Sequence, residues 1–345
     1  MKLKNFLLVT TSFLTLFVVH GQQKKSIVVP NENLITENIA EISKQLSNEV
    51  KKYSESRSAS LGDIHPLTNE IIINTRFGST PQLHRVSKSM GARTQITFFD
   101  EPVSATSFEP LKGEYLVYSK DIGGNEFGQL FKLDLKTLQS TLLTDGGKSQ
   151  NGGITWRKDG KGFYYASTKR NGGDRDIYYM DPNNPKSEKL ILQVKGGGWG
   201  IQDVSPDNKK LVLGEYISIN ESYIWLLDIE TGKLTEVTDR NSKGISQSEA
   251  TFSNLSNEIW LVTDKDNEFQ RLAAMNLNTK KTTHYTSDIP WNVERFNLSE
   301  DKKSIVFITN EGGLNKMYLM NTGTKAYKEI KNLPIGLISG ARFTK

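Results

Sequence analysis

The chain has 345 residues, of which 36% are hydrophobic and 24% are charged, and its 44 Lys and Arg against 39 Asp and Glu give a net charge of +5. This composition excludes a collagen-like chain, a disordered tail and a polytopic membrane protein, and the length is sufficient for a large buried core. The basic residues are scattered, which argues against a nucleic-acid partner, and the absence of cysteine excludes disulfides, thiol nucleophiles and zinc–thiolate sites.

Residues 1–21 have the pattern of a secretory signal peptide. Lys2 and Lys4 form a basic start, and residues 6–19 are a largely apolar stretch. A transmembrane anchor is the alternative, but a span needs ~20 apolar residues, which this stretch does not reach. We therefore expect cleavage after Gly21 and an exported protein, periplasmic or extracellular, with no membrane span once the signal is removed.

Residues 22–54 are predicted to form a polar linker followed by an amphipathic helix. Apolar residues recur at steps of three or four positions: Ile35, Ile39, Ile42, Leu46 and Val50. This spacing predicts a helix from Leu34 to about Lys52. We expect that helix to pack on the edge or face of the domain that follows.

From residue 55 onwards the sequence repeats itself with a period of about 47 residues. Each unit begins with an apolar anchor before a polar turn: Ile64, Phe108, Trp156, Val204, Phe252, Leu298 and Phe343. After each anchor come short β-branched and aromatic runs such as Phe163–Ser167, and turns such as Asp228-Ile-Glu-Thr-Gly232. A helical solenoid would instead show apolar stripes of period 3.6. The pattern predicts an all-β fold, a β-propeller of the WD40-like or TolB-like kind.

The anchors divide residues 55–345 into six complete four-stranded blades and the start of a seventh. We expect the blades at 55–101, 102–147, 148–195, 196–240, 241–287 and 288–335, with 336–345 as the first strand of an incomplete seventh blade. Because the chain stops there, it looks like the front portion of a longer protein.

Alternating apolar residues of the second strands are expected to fill the gaps between blades: Tyr115, Val117, Phe163, Tyr165, Leu211, Leu213, Ile259, Leu261, Ile305 and Phe307. The aromatic runs at 163–165 and 177–179 could alternatively be stacking platforms for bases or sugars. The strand periodicity favours a place in the core.

The sequence contains no Gly-x-Ser-x-Gly nucleophile motif, since the nearest string, Gly147-Lys-Ser-Gln-Asn151, lacks the last glycine. Asp264, Asp266 and Glu268 alternate like a calcium loop, but Phe269 stands where that loop needs glycine. Gly196-Gly-Gly-Trp-Gly200 is followed by no helix, so it is interpreted as an inter-blade turn instead of a phosphate cradle. We therefore predict no catalytic residue, no metal site and no cofactor.

The loops between the second and third strands should lie on one face of the propeller. They carry charged residues that could contact a ligand or a partner domain around a central channel: Arg76, Asp121, Glu126, Arg170, Asp174, Arg175, Glu221 and Asp266. An ordinary hydrated surface is the alternative that the sequence leaves open.

Several strings are shared with a known family: Tyr53-x-x-x-Arg57-Ser-Ala-Ser, Asn74-Thr-Arg-Phe-Gly78, the segment 91–103, Trp156-Arg-Lys-Asp-Gly and Asp174-Arg-Asp-Ile-Tyr. Together they resemble the propeller of secreted bacterial S9-family serine peptidases, the prolyl oligopeptidase and dipeptidyl-peptidase relatives. The resemblance runs from about residue 34 to the last residue.

This resemblance implies an α/β-hydrolase domain after residue 345, which would carry the catalytic Ser, Asp and His. The propeller would admit only short or unfolded peptides to it. The expected partners are thus the protein's own C-terminal hydrolase domain and peptide substrates, and the present chain alone would be inactive. A non-catalytic TolB-type periplasmic propeller that acts as a protein-binding scaffold is the alternative.

Overall fold

The computed structural model of the protein describes residues 26–30 and 34–344. The predicted signal peptide, residues 1–21, lies outside the described residues. The chain divides into two compact units, one ending at Arg57 and the other beginning at Ser58. Within the described residues, no helix is both long enough and apolar enough to cross a bilayer.

Within the described residues of the N-terminal unit there is one helix, α1 (Lys44–Ser54), so the predicted start at Leu34 is wrong. Ser43 is the N-cap: its backbone is extended, and its Oγ accepts a hydrogen bond from the Leu46 amide at 3.1 Å. Upstream of this cap, the Val28 amide donates to Ile42 O at 2.8 Å. Backbone that is extended and paired in this way cannot continue a helix, although its isoleucines have helical spacing.

The unit from Ser58 folds into six four-stranded antiparallel sheets arranged in a ring, which confirms the predicted all-β propeller. Each sheet is one blade made of consecutive strands. Blade 1 comprises β1 (Ala59–Ile64), β2 (Ile71–Thr75), β3 (Gln82–Val86) and β4 (Thr94–Gln95). Blade 2 comprises β5 (Ser104–Phe108), β6 (Tyr115–Lys120), β7 (Gln129–Asp134) and β8 (Ser140–Leu142). Blade 3 comprises β9 (Asn151–Trp156), β10 (Phe163–Ser167), β11 (Asp176–Asp181) and β12 (Asn184–Leu192).

The other three blades follow the same order. Blade 4 comprises β13 (Trp199–Val204), β14 (Lys210–Ser218), β15 (Glu221–Asp228) and β16 (Leu234–Glu236). Blade 5 comprises β17 (Gln247–Phe252), β18 (Glu258–Thr263), β19 (Arg271–Asn276) and β20 (Thr282–His284). Blade 6 comprises β21 (Val293–Leu298), β22 (Ser304–Glu311), β23 (Leu314–Asn321) and β24 (Tyr327–Glu329).

The gaps between successive blades are filled by the two faces of the second strands. On β10, Phe163 and Tyr165 pack against Val117 of blade 2, whereas Tyr164 packs against Leu213 of blade 4. Neighbouring residues point to opposite faces because side chains alternate along a strand. Equivalent clusters join blades 1 and 2, 4 and 5, and 5 and 6. Residues 163–165 are at most 1% exposed, so they belong to the core and offer no stacking platform.

The innermost strands β1, β5, β9, β13, β17 and β21 are less buried than the second strands. Each contains half-buried or exposed positions, whereas β6 and β10 are buried throughout. The innermost strands therefore line a central channel that water reaches.

Each innermost strand also carries a β-bulge, seen as a one-residue shift in its pairing with the second strand. In three of the bulges a residue has positive φ: Ala105 (47°), Gly153 (74°) and Glu249 (58°). Such bulges leave one residue outside the ladder and re-aim its side chain.

Residues 336–344 follow blade 6 and lie between it and blade 1. The Asn315 amide donates to Gly336 O at 3.0 Å, Arg295 Nη1 donates to Ser339 O, and the Arg342 guanidinium pairs with Asp63. The segment has no ladder pairing in the described structure and is held by a backbone amide of blade 6 and by side-chain contacts to the two flanking blades.

Candidate functional site

The loops of the propeller fall on two faces because the four strands of each blade run up and down in turn. The crossover face carries the loops between second and third strands and the crossovers into the next blade. The turn face carries the loops between first and second strands and between third and fourth strands. All eight charged residues singled out in the sequence lie on or next to loops of the crossover face.

Two of these eight residues, Arg170 and Asp174, hold blade 3 together. Arg170 Nη2 lies 2.8 Å from Asp174 Oδ2, and its Nε lies 2.5 Å from the buried Asp176. Asp174 Oδ1 accepts the Gly196 amide at 2.6 Å, and this hydrogen bond contributes most to lowering the pKa of Asp174 to about 2. These contacts hold the β10–β11 loop of blade 3 against the crossover into blade 4. The role of both residues is therefore structural.

Five other residues, Arg76, Asp121, Glu126, Glu221 and Asp266, are likewise placed within their own blades. Asp121 Oδ2 accepts the Glu126 amide at 3.0 Å. Glu221 is paired with Lys243 Nζ at 3.2 Å and accepts the Tyr223 hydroxyl, which lowers the pKa of Glu221. Asp266 is exposed in the loop of blade 5. Arg76 is half-buried at the start of the loop of blade 1.

Arg175 is different from the rest of the set. No ion pair of the described residues includes it. Its Nε is buried without a hydrogen-bond partner among those residues. The side chain lines a pocket of ≈620 Å³ on the crossover face, together with Trp199, Glu215 and Gln247.

Two carboxylates that sequence reasoning missed join blades across the channel wall. Asp203, 6% exposed, accepts the amide of Phe252 at 3.0 Å and Lys158 Nζ at 2.6 Å. Asp63 accepts the amide of Phe108 at 2.7 Å. Each carboxylate immediately precedes the anchor of its own blade and binds the anchor amide of the next blade. The signal was present in the sequence as an acidic residue at the same position of two repeats.

Three of the ionisable groups with shifted pKa values lie along the channel. Burial raises the pKa of Asp63, with the Phe108 amide and Arg342 opposing the shift. Channel water reaches the Glu249 carboxyl, but protein surrounds it on most sides, and this desolvation raises its pKa against the influence of Arg295. Burial likewise lowers the pKa of Lys302 at the turn-face mouth, where a pocket of ≈810 Å³ opens. Such clustering is typical of functional clefts as well as of structural ion networks.

Two of the histidines, His65 and His84, contribute to a turn and to packing. His65 Nδ1 accepts the Leu67 amide at 3.1 Å and its ring meets Phe108 edge-on. His84 is buried in β3, where its Nδ1 lies 3.0 Å from Gln82 O. In the part of the chain that the structure describes, no three His, Asp or Glu side chains are grouped so as to hold a metal ion.

The sequence matches the model of one protein family, the prolyl oligopeptidase N-terminal β-propeller domain, over residues 102–344. A search of curated protein sequences found no match.

Among solved structures, prolyl oligopeptidase B from Galerina marginata is similar with a TM-score of 0.65 at 14% identity, covering 85% of this chain and 46% of that one. A prolyl endopeptidase has a TM-score of 0.64 at 11% identity, covering 81% and 44%. TolB from Acinetobacter baumannii has a TM-score of 0.52 at 16% identity, covering 85% and 70%. The chain thus spans less than half the length of the two prolyl peptidases. At these identities the likeness concerns the fold alone.

Proposed function

Because the chain belongs to the family of prolyl oligopeptidase N-terminal β-propeller domains, we propose that it is the substrate-gating domain of an exported S9-family serine peptidase that hydrolyses oligopeptides. The family membership is the observation that carries the proposal. The catalytic Ser, Asp and His belong to an α/β-hydrolase domain that this propeller accompanies.

The central channel supports the gating role. A ring of β-sheets admits an extended chain more easily than a folded domain, so the propeller restricts access by size. Charged groups of both signs line the route, with acidic Glu249 beside basic Arg295 and acidic Asp63 beside basic Arg342. Charges of both signs suit peptides, whose two ends and side chains differ in charge.

The crossover face is the proposed docking surface for the hydrolase domain. Large apolar side chains are exposed there in many loops: Phe77, Phe98, Ile122, Tyr216, Ile217, Ile219, Trp291 and Leu314. The turn face exposes fewer: Leu67, Met90, Leu111, Leu138 and Leu255. The hairpin of β14 and β15 carries Tyr216, Ile217 and Ile219 at its tip, and exposed apolar clusters of this kind typically mark protein interfaces.

Activity of the full reading frame tests the proposal. If a Gly-x-Ser-x-Gly motif is encoded downstream, the complete protein should cleave a chromogenic oligopeptide, but not the same sequence inside a folded domain. Replacing Tyr216, Ile217 and Ile219 together with serine should lower kcat/KM at least tenfold, because the docking contact is lost. The matched control, serine at Leu67, Met90 and Leu255 on the turn face, should leave kcat/KM unchanged.

The proposal fails if no hydrolase is encoded downstream, in which case a TolB-type scaffold replaces it. The proposal that the crossover face is the docking surface is refuted separately if both triple variants have the same kcat/KM.

Export is the remaining part of the proposal. Mass spectrometry of the protein purified from outside the cytoplasm should find a mature chain that begins at Gln22. Recovery of the intact chain, starting at Met1, from the cytoplasm would contradict it.

A further inference from the structure

The pocket beside Arg175 lies on the crossover face, where blades 3, 4 and 5 meet. It has a volume of ≈620 Å³, within the usual range of small-ligand pockets. Its wall is formed by residues 197–202, which end the crossover and begin β13, by the β14–β15 hairpin and by the start of β17. Neither Arg170 nor Asp174 lines this pocket.

The pocket contains one cation that lacks a counter-ion. Of its two charged lining residues, Glu215 is already engaged by Trp225 Nε1 at 2.9 Å and by Arg240 at 3.2 Å. Arg175 makes no ion pair among the described residues, and its Nε has no acceptor there. A half-buried guanidinium without an acceptor favours an anionic ligand, and a carboxylate matches its planar pair of donors.

The pocket also contains an acceptor that lacks a donor. Gln247 is 5% exposed, and its Oε1 has no hydrogen-bond partner among the described residues. The backbone N–H and C=O of Gln247 are both hydrogen-bonded, since Ser222 Oγ accepts the Gln247 amide at 2.7 Å and donates to Gln247 O at 2.6 Å. A buried acceptor left unpaired is costly, so a ligand N–H at this point would be favourable.

The glycines of the wall fall into two kinds. At Gly198 a Cβ would lie 2.1 Å from Tyr216 O, so close packing requires glycine. At Gly200 a Cβ would meet nothing within 4 Å, and its backbone φ lies outside the positive range that favours glycine. Neither packing nor backbone conformation explains Gly200, whereas the open space of the pocket does.

We propose that this pocket binds the free carboxyl-terminal end of a short peptide. The terminal carboxylate pairs with the Arg175 guanidinium, and the last peptide N–H donates to Gln247 Oε1. A C-terminal residue carries these two groups side by side. The single unpaired cation beside Glu215 makes the pocket less suited to a doubly charged phosphate. The carboxylate follows from the pocket itself, and the choice of a peptide rests on the proposed function.

Isothermal titration calorimetry on the purified chain tests the assignment with acetyl-trialanine as the free acid and as its C-terminal amide. The free acid should bind at least tenfold more tightly than the amide. Arg175→Gln, which removes the cation, and Gly200→Leu, which fills the space, should each weaken binding of the acid at least tenfold. Arg85→Gln in blade 1 removes one positive charge outside the pocket and should change nothing. Circular dichroism establishes that each variant is folded.

Equal binding of acid and amide by the unmodified chain would overturn the inference without recourse to any variant. Undiminished binding by Arg175→Gln would also overturn it, and so would displacement of the peptide by an equal concentration of inorganic phosphate. The assay contains no hydrolase, so its outcome is independent of whether the gating proposal succeeds or fails.

Discussion

Four turns between third and fourth strands place a residue in the left-handed conformation at the same point of the repeat. These residues are Leu138 (φ 57°), Gly232 (φ 70°), Lys280 (φ 58°) and Lys325 (φ 64°). The amide of each donates to the carbonyl of the residue that opens the turn, as from Leu138 to Asp134 O at 2.8 Å. Only glycine adopts this conformation without a steric cost, so three of the turns are strained.

Leu138→Gly should therefore stabilise the protein, by about 1 kcal/mol at most, because the relief of strain is partly offset by the greater freedom of glycine in the unfolded chain. Leu138 is 43% exposed, so the substitution also gives up some partly buried apolar surface, which further limits the gain. Urea-induced unfolding measures the change. The reverse substitution in the equivalent turn, Gly232→Leu, should destabilise by a similar amount. A loss of stability in Leu138→Gly would mean that this leucine has a packing role that outweighs the strain.

The raised pKa of Glu249 gives a pH-dependent prediction. A carboxyl whose pKa is raised on folding stabilises the fold below its unfolded pKa of about 4.3, and that contribution is lost as the pH rises through the folded value. Glu249→Gln should thus change the Tm little at acidic pH and raise it at neutral pH. Thermal melts across this range provide the measurement.

Asp174 provides a control, because its pKa is shifted in the opposite direction to that of Glu249. Its pKa is lowered to about 2, so its contribution is present at neutral pH and is lost as the pH falls through this value. Asp174→Asn should lower the Tm most at neutral pH. If Glu249→Gln instead raised the Tm most at acidic pH, desolvation would not be the cause of the pKa shift of Glu249.

At the scale of the elements, two of the polar ties between blades are carboxylates of innermost strands that bind the anchor amide of the next blade. Asp203→Ala should cost about 2–3 kcal/mol, because the buried amide of Phe252 then loses its acceptor. Equilibrium unfolding in urea would show this as a lower midpoint. Glu230→Ala, on an exposed turn of the same blade, should stay within about 0.5 kcal/mol of the parent. Similar losses in the two variants would refute the role of Asp203 as an inter-blade tie.

The elements that sequence could predict are those whose signal is local and repeated. Phe163–Ser167 was predicted and observed with the same bounds because its alternation and aromatic content are visible in five residues. The start of α1 could not be predicted, because the pairing of residues 26–28 with 42–44 is a non-local contact that overrides the helical spacing of Ile35, Ile39 and Ile42.

The candidate site was predictable only in part, for a related reason. The loops that carry Arg170, Asp174 and Arg175 follow from the order of the strands. Whether each side chain is paired depends on groups far along the chain, such as Val194 O for Arg170. The unpaired state of Arg175 therefore appears only in the folded ring.

At the scale of the whole molecule, we predict that the chain alone does not hydrolyse peptides. The sequence contains no Gly-x-Ser-x-Gly motif, and His65 and His84 take part in a turn and in packing. The purified chain should release no chromophore from a prolyl peptide substrate and should remain unlabelled by a fluorophosphonate probe. A serine peptidase of known activity, assayed in parallel, shows that substrate and probe are competent. Specific labelling of any serine in this chain would contradict the prediction.

The β-bulges of the innermost strands indicate how the channel of a propeller can change in sequence during evolution. The shift leaves one or two positions of each strand without a partner in the ladder, and these include Gly62, Ala105, Gly153, Gln202, Glu249 and Glu294. These residues already differ in size, polarity and charge, while the blades that carry them are alike. Where such a residue is exposed, as Ala105 and Glu249 are, a substitution alters the bore of the ring without disturbing the pairing that holds the blade together. The residues that shape the channel can therefore change independently of the residues that hold the blades together. Related propellers can thus differ in channel selectivity while they keep the same fold.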